Sequence, residues 1–532
     1  MLVYFGIAVA VYAVYVCLKA KKALHMLQQN WYDDDHRYLK WMVTNKDKVL
    51  ISTDSFFVFF IVFLFLGGPL QSILFAVFYF VNILFIRNKH RKEQTKLSLV
   101  ITSRVKRLLV TLAILYIIPI VCMCFYLEEN IMPYYFLILG AMAYLTHFMV
   151  MLANIINIPV EKQVFYHYRR MAKRKLRSMP NLKIVGITGS YGKTSSKNIL
   201  SDILNVKLNA TPTPKNFNTP YGLINSINNY LDKFSDVFIA EMGAFKRGEI
   251  KELCDLVHPS YGILTKIGTA HLESFGSREN IQKGKFELIE SLPWDGVGVL
   301  NGDDEYQTSY EIQNDCRIIW IGIDNKDVDV RATNIKLTAD GTTFDCIFKG
   351  DKNKYAFETK LLGKANIYNI LAAIALSREF GIRTEQIMIG VKKVMPIEHR
   401  LELKKMGNIY LIDDSYNSNP VGSKMALEVL DMMPGKKVVV TPGMIELGTE
   451  QYEQNLKFGE YIAAVADEVI LVGAEQTRPI QVGLEAKEYP AKKVHVINDV
   501  KEAFPMVQSL KEEGKELYAL IENDLPDIFN EK

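Results

Sequence analysis

The stretch with the most specific chemistry in this chain is Gly186-Ile187-Thr188-Gly189-Ser190-Tyr191-Gly192-Lys193-Thr194. The β-branched run Lys183–Ile187 precedes it, and Ser195–Leu204 follows with helical periodicity. Strand, Gly-rich loop and helix, in that order, make a phosphate-binding loop. Glycines let backbone N–H groups turn inward around phosphate oxygens, and the helix N-terminus adds partial positive charge. Gly189, Ser190, Tyr191, Gly192 and Ser195 would line the cradle of a nucleotide such as ATP. Lys193 would reach the β- and γ-phosphates, and the Thr194 hydroxyl would ligate Mg²⁺.

Two residues further on suit metal-assisted phosphate chemistry. Glu241 ends the apolar run Val237-Phe238-Ile239-Ala240. Ligands of open α/β sheets lie at the carboxyl ends of strands. A carboxylate there suits Mg²⁺, a hard cation that takes oxygen ligands. His271 follows a second apolar run, Gly262–Ile267; taken alone, a histidine there is a ligand or a structural group.

These residues need a framework, and the chain holds two unlike ones. Its 532 residues are 49% hydrophobic, 11% aromatic and 23% charged, with a formal net charge of +4; the mean hydropathy is +0.06. That much apolar surface excludes intrinsic disorder. The small net charge gives no global footprint for nucleic acid. Six cysteines in this length exclude a disulfide scaffold. None has metal-type spacing, so all read as reduced structural thiols.

The first framework is apolar. Leu2–Leu18, Phe56–Ile86, Leu108–Leu127 and Ile131–Ile158 are hydrophobic runs, the second interrupted by Gly67-Gly68-Pro69. About 20 apolar residues span a bilayer as a helix. The first run lacks the basic start and small-residue cleavage site of a signal peptide, so it reads as a retained span. Basic clusters follow the runs at Lys19, Lys21 and Lys22, at Arg87–Lys96, and at Arg169–Arg177. The acidic break is Glu128-Glu129-Asn130. Basic loops stay cytoplasmic. All three clusters lie inside if Phe56–Ile86 crosses twice, turning at Gly67-Gly68-Pro69. The expectation is a multi-pass transmembrane region over residues 1–160, with about five spans and the N-terminus outside; a re-entrant loop with four spans gives the same sidedness. Residues 23–50 are expected to form a cytoplasmic loop. Residues 161–180, basic with interleaved aromatics, are expected to form a linker helix on anionic membrane lipid, or a solvated linker.

After Pro180 the texture changes. Residues 181–393 alternate strand and helix patterns, which predicts an α/β nucleotide domain with a mostly parallel sheet. The β-rich stretch Arg317–Thr359 is expected to add a small antiparallel sheet. Residues 394–532 are expected to form a smaller Rossmann-like α/β domain with strands at Asn408–Ile412, Lys437–Thr441, Glu468–Val472, Lys493–Val496 and Glu516–Leu520.

Downstream of the loop come Asn216-Phe217-Asn218-Thr219-Pro220-Tyr221-Gly222, Ala240-Glu241-Met242-Gly243, and Gly268-Thr269-Ala270-His271-Leu272-Glu273-Ser274-Phe275-Gly276. Lys283-Gly284-Lys285, Leu300-Asn301-Gly302-Asp303-Asp304 and Gly363-Lys364-Ala365-Asn366 follow. Last are Glu398-His399-Arg400-Leu401-Glu402, Asp413-Asp414-Ser415-Tyr416-Asn417-Ser418-Asn419-Pro420 and Gly443-Met444-Ile445-Glu446-Leu447-Gly448. In this order the motifs resemble the Mur ligases, most of all the branch that adds D-alanyl-D-alanine to the cell-wall peptide precursor. The resemblance covers the chain from about residue 181 onward.

The resemblance implies an ATP-dependent amide ligase with two Mg²⁺ ions. Thr194 and Glu241 would serve one ion. His271 and a carbamylated lysine would serve the other, and the register favours Lys285 over Lys283 for the carbamate. Arg400 would lie near the γ-phosphate, Asp414 would accept from the ribose hydroxyls, and Asn366 would lie on the adenine side; Asn369 is either a neighbour of the same loop or structural. Asn216, Asn218, Thr219, Asn417 and Asn419 would face the substrates. A carboxylate attacks the γ-phosphate, and an amine, an amino acid or dipeptide, displaces phosphate from the acyl phosphate. No cysteine nucleophile is needed, and none lies in a nucleophile motif.

The chain departs from the family in three places. Apolar spans stand where soluble members carry a uridine-nucleotide domain, so the carboxylate is expected on a lipid-linked or other envelope precursor, with the catalytic domains cytoplasmic. Ala365 replaces a histidine, and the aspartate of the family's Gly-Asp-Met loop becomes Gly443. A poly-γ-glutamate-type polymerase and an ATP-binding membrane regulator or transporter are the alternatives; the spans show no buried charged row that a transporter needs.

Overall fold

The computed structural model describes residues 2–66, 69–90, 99–125, 131–338, 341–416, 418–445 and 447–523. The expected turn at Gly67-Gly68, the basic residues Arg91, Lys92 and Lys96, the break Glu128-Glu129-Asn130, and Asn417 and Glu446 lie outside them. The chain divides into two compact units, Met1–Tyr166 and His167–Lys532.

The first unit is helical: α1 (Leu2–Gln29), α2 (Arg37–Thr44), α3 (Lys46–Leu50), α4 (Pro69–His90), α5 (Ser103–Phe125), α6 (Met132–Tyr144) and α7 (Thr146–Arg177), which runs on into the second unit. Among the described residues, four helices are long and apolar enough to cross a membrane: Val3–Gln29, Pro69–Asn88, Ser103–Cys122 and Thr146–Arg177. They are candidates for four of the expected spans. The first arm of the expected hairpin is the 13-residue 3₁₀ segment Thr53–Phe65. At ~2.0 Å per residue that winding reaches ~26 Å, just short of a ~30 Å hydrocarbon core. The fourth run is broken at Leu145, and its second half continues without a cap through the basic residues to Arg177. α7 is unbroken at the expected boundary of residue 160, with Pro159 inside it. Residues 23–50 are not a loop either; they complete α1 and form a 3₁₀ turn, α2 and α3.

Inside this unit Tyr12, Phe75, Tyr79 and Phe136 pack ring on ring, with centroids 4.4 to 5.6 Å apart. Lys19, expected to flank the first span, instead lies within α1 and donates to the fully buried Asp54 and to the Tyr144 carbonyl, 3.0 Å away. Arg107 forms a second, two-pronged pair with Glu161 at 2.6 and 2.7 Å. These are two separate pairs, beside the expectation of no buried charged row. Each ammonium or guanidinium answers a carboxylate, and Lys19 also satisfies backbone freed where the α6–α7 helix breaks.

The second unit holds two sheets. The larger has nine strands: β1 (Lys183–Thr188), β2 (Ala210–Pro212), β3 (Val237–Glu241), β4 (Tyr261–Leu264), β5 (Val297–Asn301), β6 (Arg317–Gly322), β7 (Val330–Thr338), β8 (Gly341–Phe348) and β9 (Lys354–Thr359). Their order is β2-β3-β1-β4-β5-β6-β7-β8-β9, parallel as far as β7 and antiparallel beyond. The stretch 317–359 is thus no separate sheet. β6 pairs in register with β5, so the antiparallel strands extend the parallel sheet.

Helices α8 (Lys193–Leu204), α9 (Pro220–Asn229), α10 (Glu249–Val257), α11 (Leu272–Phe275), α12 (Arg278–Glu290), α13 (Glu305–Thr308), α14 (Lys364–Glu379) and α15 (Thr384–Lys393) accompany it. Apolar faces of α8, α14 and α15 close over Val185, Ile187, Ile239 and Ile263 in one core.

The smaller sheet comprises β10 (Glu402–Met406), β11 (Ile409–Asp414), β12 (Lys436–Thr441), β13 (Glu468–Val472), β14 (Val494–Ile497) and β15 (Leu517–Glu522), in the order β10-β11-β15-β12-β13-β14. All five expected strands are present. The sixth, β10, is antiparallel to β11 and too charged to read as a strand. Helix α16 (Pro420–Asp431) starts at Asn419, whose side chain accepts from the Gly422 amide.

Candidate functional site

The parallel order puts the ends of β1, β3 and β4 side by side, and the phosphate loop lies there. Gly189 has φ +149, and a Cβ on it would stand 2.0 Å from Thr265 Oγ1. That hydroxyl donates to the Tyr191 carbonyl at 2.6 Å, so β4 buttresses the loop. Gly192, at φ 81, is the N-cap of α8, whose first amides face the loop. Lys193 Nζ donates to its own loop's carbonyls, Gly189 at 2.8 Å and Ser190 at 3.1 Å. Protein closes around the ammonium although the stem keeps some exposure. Burial pulls its pKa down to about 8, Glu241 opposes, and Arg400 adds to the depression.

Glu241 is 1% exposed at the end of β3. Its Oε1 accepts from Thr194 Oγ1 and from Asn218 Nδ2, both at 3.1 Å. Its Oε2 is buried with no hydrogen bond, although Lys197 Nζ lies 3.0 Å away, off the hydrogen-bonding direction. A hydroxyl beside a carboxylate with an unsatisfied oxygen is a hard-oxygen donor set, which fits Mg²⁺. Among the described residues no three His, Cys, Asp or Glu side chains cluster as a metal site.

His271, at φ 61, packs edge-on to the Phe245 ring at 4.5 Å. Lys285, on α12, is 1% exposed and donates to the Ala244 carbonyl at 3.2 Å. His271 and Lys285 therefore both touch the turn after Glu241. Burial, and then the charge of Lys193, holds Lys285 well below the ordinary lysine range. A neutral amine is the form that reacts with CO₂, so Lys285 fits a carbamate; Lys283 is exposed.

A cavity of about 240 Å³ opens beside the loop. Tyr191, Gly192 and Ser195 line one side, Asn366, Tyr368 and Asn369 another, and Arg400, Asp414 and Asn419 the third. The structure thus brings the expected phosphate, base-side and ribose residues around one space. Ile263, Leu264, Ile321 and Ala372 give it an apolar wall. Arg400 lies over the Tyr416 ring at 4.4 Å. Its neighbour His399 is held by Asp413 at 2.8 Å.

Asp414 ends β11 and accepts from the Leu401 amide at 3.1 Å. Burial raises its pKa to about 6, and the charges of Arg400 and Asp413 pull in opposite directions. Glu522, fully buried beside it, is raised further by burial and by Asp414, although Ser418 and Ser423 donate to it at 2.8 Å.

Sequence reasoning missed Lys197, Glu522 and Tyr368. Lys197 had a signal: it stands four residues after Lys193, on the same face of α8. Tyr368, whose hydroxyl donates to Asp303 at 2.9 Å, sits two residues past Asn366. Glu522 comes to Asp414 only through the β11–β15 pairing. Gly443, where relatives have aspartate, has φ +84, and a Cβ there would meet Asn455 Oδ1 at 2.9 Å. Asn455 is fixed, accepting from the Met444 amide at 2.8 Å and donating to its carbonyl at 2.9 Å.

Residues 187–377 match the Mur ligase middle domain, and residues 399–517 match the Mur ligase glutamate ligase domain. The Escherichia coli (strain K12) UDP-N-acetylmuramoyl-tripeptide–D-alanyl-D-alanine ligase is 31% identical over 321 residues, 60% of this chain and 70% of that one. This chain belongs to the Mur ligase family. The corresponding Bacillus subtilis ligase is 32% identical over 284 residues, but the chain spans only 60% of its length. MurF from Acinetobacter baumannii superposes with a TM-score of 0.62 at 25% identity, covering 68% of this chain and 77% of that one. MurF from Thermotoga maritima, solved in complex with ADP, gives 0.61 at 24% identity, covering 69% and 81%. As a Mur ligase, the protein is an ATP-dependent, amide-forming enzyme.

Proposed function

We propose that this Mur ligase is a membrane-anchored enzyme of cell-envelope synthesis that joins an amino acid or dipeptide amine to a carboxylate carried on a lipid. The observation that carries the ligase part is the convergence of the phosphate-loop residues Tyr191, Gly192 and Ser195 with Arg400, Asn366 and Asp414 on one cavity, in a loop that also holds Lys193 and the Thr194–Glu241 pair. The relatives named for D-alanyl-D-alanine addition support that dipeptide as the amine and peptidoglycan as the product. The lipid part is supported by the four long apolar helices and by the place of residues 1–166 ahead of the matched domains. The basic residues after the last apolar run support a cytoplasmic catalytic unit.

Thr194 and Glu241 would hold Mg²⁺, which offsets repulsion between the attacking carboxylate and the phosphates. His271 and a carbamate on Lys285 would hold a second ion. The chain's own groups do the rest. Backbone amides of Gly189–Gly192 orient the β-phosphate. Lys193 exchanges its loop carbonyls for phosphate oxygens. Arg400 brings positive charge to the γ-phosphate, where negative charge develops in transfer. Asp414 accepts from the ribose, and the apolar wall takes the base. The turn Asn216–Thr219 and Asn419 face the substrates.

Phosphate release by detergent-purified protein tests the proposal, with ATP, Mg²⁺, membrane lipid extract and a panel of amines. Release that needs lipid extract and one amine, and is lost in Lys193→Ala, is the expected result. Faster turnover of a soluble uridine-nucleotide peptide than of any lipid fraction would overturn the lipid part. Release without any amine would favour the regulator or transporter reading.

A further inference from the structure

Lys197 lies outside every role assigned so far, yet it is 1% exposed in the middle of the site. It stands one turn beyond Lys193 on α8. Its ammonium donates to the Lys215 carbonyl and lies 3.0 Å from Glu241 Oε2. Lys215 is a non-glycine residue at φ 47. Such backbone is strained and persists where its surroundings hold it; here the carbonyl is turned inward onto Lys197. The same turn reaches Glu241 twice more. Thr213 Oγ1 accepts from the Glu241 amide at 3.2 Å, and Asn218 Nδ2 donates to Oε1. The Asn218 carbonyl accepts from Gly243 just past the strand, at 2.8 Å.

Three pieces of chain therefore meet at one carboxylate: the phosphate-loop helix, the end of β3, and the turn 213–219. A buried ammonium holds its place when a carboxylate and a carbonyl answer it. Lys197 sets its positive charge 3.0 Å from Oε2, which draws that oxygen toward α8 by charge and leaves Oε1 beside Thr194 and Asn218. We propose that Lys197 is a positioning residue that locks Glu241 and the Asn216–Thr219 turn into a single unit, tying the metal-binding carboxylate to the substrate side. The inference rests on the reading of Glu241 as a metal ligand and of the turn as substrate-facing.

The test uses full-length protein in detergent. Amide hydrogen exchange is followed without nucleotide or metal in the wild type, Lys197→Met, Glu241→Gln and the double variant. Exchange over residues 214–219 should speed up about tenfold or more in Lys197→Met, while β1 stays protected; coupling of this size is ordinary for groups in one network. The double variant removes both charges, so it folds even if Lys197→Met does not, and its turn should exchange fast as well. In phosphate release, the double variant should be no slower than Glu241→Gln alone. Unchanged exchange in the turn, or losses that multiply in the double variant, would overturn the inference. If the wild type releases no phosphate at all, the ligase reading fails, while the exchange measurement still decides the role of Lys197.

Discussion

The two units obey one burial rule in opposite senses. In the first, large apolar side chains face outward: Phe65 is 86% exposed, Ile51 75% and Val3 72%, while Lys19 and Asp54 meet inside. In the second, Val185, Ile187, Ile199 and Ile239 fill a dry core, and charged pairs such as Lys349–Asp327 sit at the rim. An apolar exterior suits hydrocarbon as solvent, where a polar group finds partners only within the protein. The comparison teaches that charge is placed by what surrounds the fold. A buried pair is a structural necessity in the first unit, and in the second the buried pair Lys197–Glu241 stands at the end of β3 beside the phosphate loop.

The sharpest break between the units should come from Lys193→Ala. Losing a preorganised cation at developing charge should lower turnover by about 10²–10³, and hydrogen exchange in residues 2–66 should not change. Asp54→Ala should do the reverse. It strands a buried ammonium at a cost of about 3–5 kcal/mol to the first unit, read as lower thermal stability in detergent, with ATP binding kept. Pairing it as Lys19→Met/Asp54→Leu should recover most of the loss; no recovery would mean the pair does more than neutralise itself.

Next is Ile199→Ala, which opens the core under α8 and should cost about 2–5 kcal/mol. Ile7→Ala, on the outer face of α1, should stay within about 0.5 kcal/mol in detergent. Equal losses at both sites would erase the contrast.

In the second unit, a pH dependence follows from one acidic pair. Asp414 rises from 3.8 to about 6 on folding, and Glu522 rises with it. The folded state thus binds more protons than the unfolded one, so stability from this pair is full below pH 4 and falls as pH climbs through 6. Glu522→Gln should flatten that slope in a melting series; an unchanged slope would place the titration elsewhere. A small effect is also expected at Arg278, which bridges to Glu450 at 2.9 Å on an exposed rim. Arg278→Ala should cost at most about 1 kcal/mol, and less in high salt.

The sequence revealed most where a motif and an element coincide. The loop, Glu241 and the five C-terminal strands were legible because glycine spacing and alternating apolar runs are local signals. Lys19 was misread as a flanking charge, since its partner Asp54 is 35 residues away and only packing joins them. The 3₁₀ winding of Thr53–Phe65 was hidden, because composition does not encode it. Residues 317–359 looked like a separate sheet because β7–β9 are antiparallel; the β5–β6 register that attaches them is a tertiary fact. In the site, Arg400, Asp414 and Asn366 were legible through motifs. Glu522 was not, because a lone acidic residue near a chain end carries no pattern.

The turn at Gly443 has a consequence for which substitutions the chain tolerates. Its backbone is left-handed, and Asn455 already occupies the space a side chain would enter. A single codon change to aspartate would meet an amide that two hydrogen bonds hold still. An aspartate at this turn therefore calls for a second, accommodating change at Asn455, with the first step uphill. Positions 443 and 455 are thus expected to tolerate substitution only as a pair.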